Sequence, residues 1–210
     1  MSKAIIFDFD GTLVDSKKLI YRCFQSITKN LAPEKLDRAK NILIGPPLRE
    51  TASKILGQEN QEKLDEFISS FIKLHDNEVI LHTHPYPLVS STLNELHHRK
   101  IPMAIATNKR KAPTIKLIKH LGWGHYFKKT ECSDTLTQIR NKNKLIQDIL
   151  RSNPEFTKAF FVGDTVNDGQ SANLNKLLFI KANFGYGNNQ DWSMVNIKNK
   201  IETFDELLNI

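Results

Sequence analysis

Asp8 and Asp10 stand two residues apart at the end of a short apolar run, Lys3–Phe9, which reads KAIIFDF and predicts a buried strand. Gly11 and Thr12 then supply turn chemistry, and Gly11 lets a ligand approach the main chain closely. Side chains two apart on a strand share a face, so both carboxylates can address one site. In an open α/β sheet the carboxyl ends of the strands are where ligands bind. Two neighbouring carboxylates repel each other, and a hard cation such as Mg²⁺, which takes oxygen ligands, relieves the repulsion. An Asp-rich turn that merely closes a strand is the competing reading of this segment alone.

A second acidic pair follows a second apolar run. Residues 159–168 read AFFVGDTVND, and a helix starting there sets Asp164 and Asp168 one turn apart on the same side. Asp168 also suits the first turn of any helix. Thr107 and Asn108 close the run PMAIA with a hydroxyl and an amide able to hydrogen-bond phosphate oxygens, although the pair is ordinary in turns. Lys142 opens a helical pattern and offers a fixed positive charge, with Lys144 as its rival.

The elements that must position these groups alternate. Strands are predicted at Lys3–Phe9, Pro102–Thr107, Ala159–Gly163 and Leu177–Ala182, and helices at Val89–His98, Ala112–Leu121, Lys142–Leu150 and Asp168–Asn175. Such alternation predicts an α/β fold with an open parallel sheet covered on both faces. Asp15–Leu81 interrupts it with helical periodicity at Leu19, Ile20, Cys23, Phe24 and Ile27, and again at Leu64, Phe67, Ile68, Phe71, Ile72 and Leu74. A stretch that long between two strands reads as a helical insert. The two prolines in His82–Pro87 oppose helix continuation and mark its return hinge.

The 210 residues are 40% hydrophobic and 25% charged, enough for a sizeable core. The longest apolar runs are far short of the ~20 residues a membrane span needs, and Asp8 arrives too soon for a signal-peptide core. Cys23 and Cys132 lack metal-type spacing and are expected as reduced, buried thiols of a cytoplasmic protein. A net charge of +7 favours anionic partners, and Lys109–Lys129 holds seven Lys/Arg without an acid. With Trp123, Tyr126 and Phe127 interleaved, that run could serve a nucleic-acid-binding module. It also reads as a solvated helix face whose apolar stripe, Leu117, Ile118, Leu121 and Phe127, meets the core.

The segments DFDGTLVDS (8–16), ATNK (106–109), NKNKLI (141–146) and FFVGDTVND (160–168) occur in an order that resembles the haloacid dehalogenase superfamily, in its phosphoglycolate-phosphatase-like branch with a helical cap. IGPPLRE (44–50) resembles the specificity loop in the caps of that branch. The resemblance implies a Rossmann-like sheet core over residues 1–14 and 85–210, with a small helical cap over residues 15–84 inserted after the first strand. It implies that Asp8 attacks phosphorus to form an aspartyl-phosphate, while Asp10 protonates the leaving alcohol and then activates water. It further implies Mg²⁺ held by Asp8, the Asp10 carbonyl and Asp164, with Asp168 in support, and a phosphoryl group held by Gly11, Thr107, Asn108 and Lys142. The cap would contribute Gly45, Pro46, Pro47, Leu48 and Arg49 to specificity and close over the site. Arg49 equally suits a surface salt bridge.

The family departs from this sequence at Leu88, where it commonly has glycine, and around Lys142, where a nearby proline is missing. The expected activity is Mg²⁺-dependent hydrolysis of a small phosphorylated metabolite, phosphoglycolate first, with a sugar-phosphate mutase or a phosphonatase as alternatives within the family. No membrane partner and no nucleic acid are expected, and monomer and homodimer stay open.

Overall fold

The computed structural model of the chain describes residues 4–134 and 140–210. In chain order come β1 (Ile5–Phe7), β2 (Val14–Asp15), α1 (Lys17–Leu31), α2 (Leu36–Asn41), α3 (Leu48–Leu56), α4 (Leu64–His82) and β3 (His84–Pro85). Then follow α5 (Val89–His98), β4 (Met103–Thr107), α6 (Lys111–His120), β5 (Phe127–Cys132) and α7 (Lys142–Ser152). The last elements are β6 (Phe160–Gly163), α8 (Val166–Leu174), β7 (Leu178–Ala182) and β8 (Ile197–Ile201), with short 3₁₀ turns between and after them.

Six strands form one parallel sheet in the order β5-β4-β1-β6-β7-β8. The four apolar runs of the sequence are its centre, because strands buried on both faces can be apolar at every position. Ile6, Phe7, Ile105, Phe161 and Val162 are fully buried there. The sequence reading missed the edges, β5 (FKKTEC) and β8 (IKNKI). Lysine-rich strands are how sheets blunt their edges, and they carry no apolar run to find. From β1 the chain builds β4 and β5 on one side, then crosses to β6, β7 and β8 on the other. The carboxyl ends of β1, β4 and β6 therefore meet at a topological switch point.

The chain divides into two compact units, Met1–Asp15 with His84–Ile210, and Ser16–Thr83. Asp15 and His84, which the sequence placed in the insert, pair with each other in the antiparallel β2–β3 ladder of the first unit. The second unit is helical. The periodic stripe of α1 is buried as its spacing predicts, and Phe24 meets Phe71 of α4 with ring centroids 4.7 Å apart. Cys23 and Cys132 are free and buried. Leu88 adopts φ 65°, a left-handed conformation that an L side chain enters at a cost and that glycine adopts freely. Among the described residues no helix is long and apolar enough to cross a membrane.

Candidate functional site

β1 ends at Phe7, sooner than its sequence run, whose first residue Lys3 lies outside the described residues. Asp8 follows directly, its N–H donating to the Val162 carbonyl of β6 at 2.9 Å. Asp10 does not continue the strand. The N–H groups of Leu13 and Val14 both donate to the Phe9 carbonyl, at 2.9 and 3.1 Å, so residues 9–14 form a tight turn. Strand periodicity therefore does not govern Asp10: the turn sets its placement, and the described acids whose oxygens gather with those of Asp8 are Asp164 and Asp168. Gly11 makes that turn possible with φ +89°, and a Cβ there would overlap the Asp164 carboxylate.

Asp164 follows β6 as Asp8 follows β1, and adjacent parallel strands bring the two together. Asp8, Asp164 and Asp168 are buried and offer oxygens within 4.8 Å of one another. Asp168 is the third residue of α8 and completes a capping box with Thr165, whose N–H and hydroxyl donate to it at 3.0 and 2.6 Å. It thus starts a helix as its position suggests, and its other oxygen lies 2.8 Å from Lys142 Nζ. Lys142 also donates to Asp8 at 2.5 Å and is 2% exposed. Asn141 caps α7 by accepting from the Lys144 N–H, and the Lys144 side chain points out, about half exposed. The geometry thus sets Lys142, and not Lys144, in the cluster.

Electrostatics follow from burial. Desolvation pushes the Asp8 carboxyl up to about 7, with Lys142 pulling it down and Asp168 pushing it up. Asp164 is raised for the same reason, with Asp168 and Asp8 adding to the rise. Burial depresses the Lys142 ammonium, but Asp168 and Asp8 outweigh it and leave its affinity for the proton above normal. Among the described residues Lys142 is the one cation paired within this cluster of three buried carboxylates, reaching Asp8 and Asp168. Among the described residues Asp164 receives only neutral donors, the Thr12 hydroxyl at 3.1 Å and the Tyr186 N–H at 2.7 Å. An all-oxygen cluster with more negative than positive charge fits a hard divalent cation.

Thr107 ends β4 and is buried, its hydroxyl accepting the Lys109 N–H at 3.1 Å. The Asn108 amide donates to Asn167 at 3.4 Å. Arg49, in the helical unit, makes an exposed ion pair with Asp65 at 2.5 Å. Gly45, Pro46 and Pro47 precede α3, which Leu48 begins. In the basic run, Trp123 is buried, which removes it as a stacking face.

Two features escaped the sequence. Lys109 Nζ donates to both Asp10 oxygens at 3.0 Å from a side chain only 5% exposed. Beyond β7, Gly185 and Tyr186 close on Asp164: the Tyr186 N–H binds it, and a Cβ on Gly185 would overlap both its side chain and the Gly11 carbonyl. The visible signals were Lys109 itself, next to Asn108, and the run FGYG just past an apolar strand.

Over residues 5–181 the chain matches the sequence model of haloacid dehalogenase-like hydrolases. It is 28% identical over 193 residues to a phosphoglycolate phosphatase of Rhodobacter capsulatus, covering 89% of this chain and 86% of that protein. It is 32% identical over 168 residues to the pyrophosphatase PpaX of Bacillus velezensis, covering 79% and 76%. A haloacid dehalogenase-like hydrolase of Streptococcus pneumoniae superposes with a TM-score of 0.83 at 23% identity, over 99% of this chain and 97% of that one.

Proposed function

The chain belongs to the haloacid dehalogenase-like hydrolases and is a phosphatase of that family, and from that premise we propose that it hydrolyses a small phosphomonoester with Mg²⁺ through an aspartyl-phosphate on Asp8. The observation that carries this reading is the cluster of three buried carboxylates with a single lysine at the carboxyl ends of β1 and β6. Asp8 and Asp164, with the Asp10 carbonyl, would hold the cation, and Asp168 supports it by fixing Lys142. When bound, Mg²⁺ supplies positive charge against the anionic substrate and offsets the repulsion among the carboxylates.

An Asp8 oxygen forms a bond to phosphorus as the bond to the leaving oxygen breaks, and Asp10 gives that oxygen its proton. Asp10, now a carboxylate, takes a proton from water as the water oxygen bonds to phosphorus and the Asp8–phosphorus bond breaks, releasing phosphate. Lys142 and the polar groups of Gly11, Thr107 and Asn108 neutralise and orient the transferring phosphoryl group. Lys109 holds both Asp10 oxygens and so fixes the acid's orientation.

The likeness to phosphoglycolate phosphatases makes phosphoglycolate the first substrate, and the PpaX likeness keeps pyrophosphate beside it. The reading includes a cytoplasmic location and leaves monomer and homodimer open. Rates for phosphoglycolate, pyrophosphate, sugar phosphates and nucleoside monophosphates, each with Mg²⁺ or EDTA, test it. Mg²⁺-dependent turnover with phosphoglycolate ranked first supports the reading. A metal-independent rate, or no turnover anywhere on the panel, sinks it.

A further inference from the structure

Between Lys17 and Lys40 the chain carries seven Lys/Arg against two Asp/Glu. This segment supplies α1 and α2 of the helical unit, where Lys17, Lys18, Arg22, Lys29 and Lys40 line an open groove of about 800 Å³ with no carboxylate among the described residues of its lining. Lys18, Arg22, Gln25 and Lys29 recur at intervals of four, three and four residues, so they form one stripe along α1. At 1.5 Å per residue the stripe is about 16 Å long. Within this unit Glu78 pairs with Arg22 and Asp37 with Lys40. Lys18 and Lys29 are exposed and have no ion-pair partner among the described residues. Like charges four apart on a helix repel, as Lys18 and Arg22 do, and an anion laid along the groove removes that cost.

The lining selects among anions. Its size falls in the range of small-ligand sites, about 300–1,000 Å³. Lysine ammonium groups bind phosphoryl oxygens as point charges. A nucleic-acid strand would also call for aromatic faces on which bases stack. The groove's single aromatic, Tyr21, is half-buried with its hydroxyl donating to the Ile42 carbonyl at 2.8 Å. An acidic peptide would seat apolar anchors, and Leu36 is the one aliphatic side chain in the lining. We propose that the α1–α2 groove binds a short linear polyphosphate through Lys18, Arg22 and Lys29, residues separate from the Asp8 cluster.

Calorimetric titration of the full chain with tripolyphosphate, in Mg²⁺-free buffer, tests this. Binding is expected to be tighter than for orthophosphate and to weaken steeply as salt rises. The double variant Lys18→Gln/Lys29→Gln, with unchanged circular dichroism, is expected to bind about tenfold more weakly, the sum of two exposed ion pairs. The control Lys116→Gln/Lys119→Gln, on α6 of the other unit, is expected to bind as the wild type does. The proposal is overturned by no binding at about 0.1 M salt, by undiminished binding in the first variant, or by an equal loss in the control. A single-stranded oligonucleotide of matched charge that binds as tightly overturns the polyphosphate assignment.

Discussion

Arg140 and Lys142 are two residues apart, both buried, and each holds two carboxylates. Arg140 donates to Glu131 at 2.7 Å and Asp148 at 2.5 Å, and also to the Cys132 carbonyl at 3.0 Å. Its acids have further cations at their outer edges: Lys129 reaches Glu131, and Lys144 and Arg151 reach Asp148. Lys142 shares its site with a third buried carboxylate, Asp164, that has no cation among the described residues. One cluster is closed upon itself and ties β5 to α7. The other is left with excess negative charge at a strand switch point, where a ligand can supply what is missing. Charge balance, more than burial, separates the two clusters.

Substitutions in the two clusters should therefore fail differently. Asp8→Asn is expected to lower phosphate release by about 10³-fold or more while the protein stays folded, measured as steady-state turnover. Lys142→Met should cost on the order of 10²–10³-fold in turnover, since a charge facing the transferring group is lost. Arg140→Met should instead lower stability by about 3–5 kcal/mol in urea unfolding, because two buried carboxylates lose their shared partner. Equal activity losses at Arg140 and Lys142 in fully folded protein would erase the distinction.

Metal binding sharpens it further. The Asp8 carboxyl is pushed up to about 7 and Asp164 is also raised, so protons compete with a cation below that range. Calorimetric Mg²⁺ affinity should rise as pH increases through about 7, with protons released on binding. The sign for stability is opposite to that of a paired surface acid. A carboxylate raised on folding costs stability as pH climbs from its unfolded value through its folded one. Without metal at pH 8, Asp8→Asn should accordingly melt above the wild type. Gly185→Ala should weaken Mg²⁺ binding about 10–100-fold by displacing Asp164. Lys144→Gln, at an exposed edge, should change stability by less than about 0.5 kcal/mol.

The sheet's centre was legible because strands buried on both faces leave continuous apolar runs, and the acids of the site stand directly after two of them. Thr107 was legible in the same way. The edge strands β5 and β8 were not, since FKKTEC and IKNKI resemble loop sequence. Buried cations were also hidden. Nothing in composition distinguishes Lys109 from its exposed neighbours, because its partner Asp10 lies 99 residues away. Lys142 and Lys144 differ only in which side of α7 each occupies, a matter of packing that one sequence leaves open. Tyr186 reaches Asp164 through its backbone N–H, which every residue except proline possesses, so side-chain chemistry gave no clue.

On the proposed function, the over-acidic cluster around Asp8 is a working, cation-dependent hydrolytic centre. Phosphate release by wild type and Asp8→Asn, each with Mg²⁺ and with EDTA and using the best ester on the panel, tests it most directly. Turnover is expected in one of the four conditions alone, wild type with Mg²⁺. Turnover by Asp8→Asn comparable to the wild type, or wild-type turnover undiminished in EDTA, would contradict it.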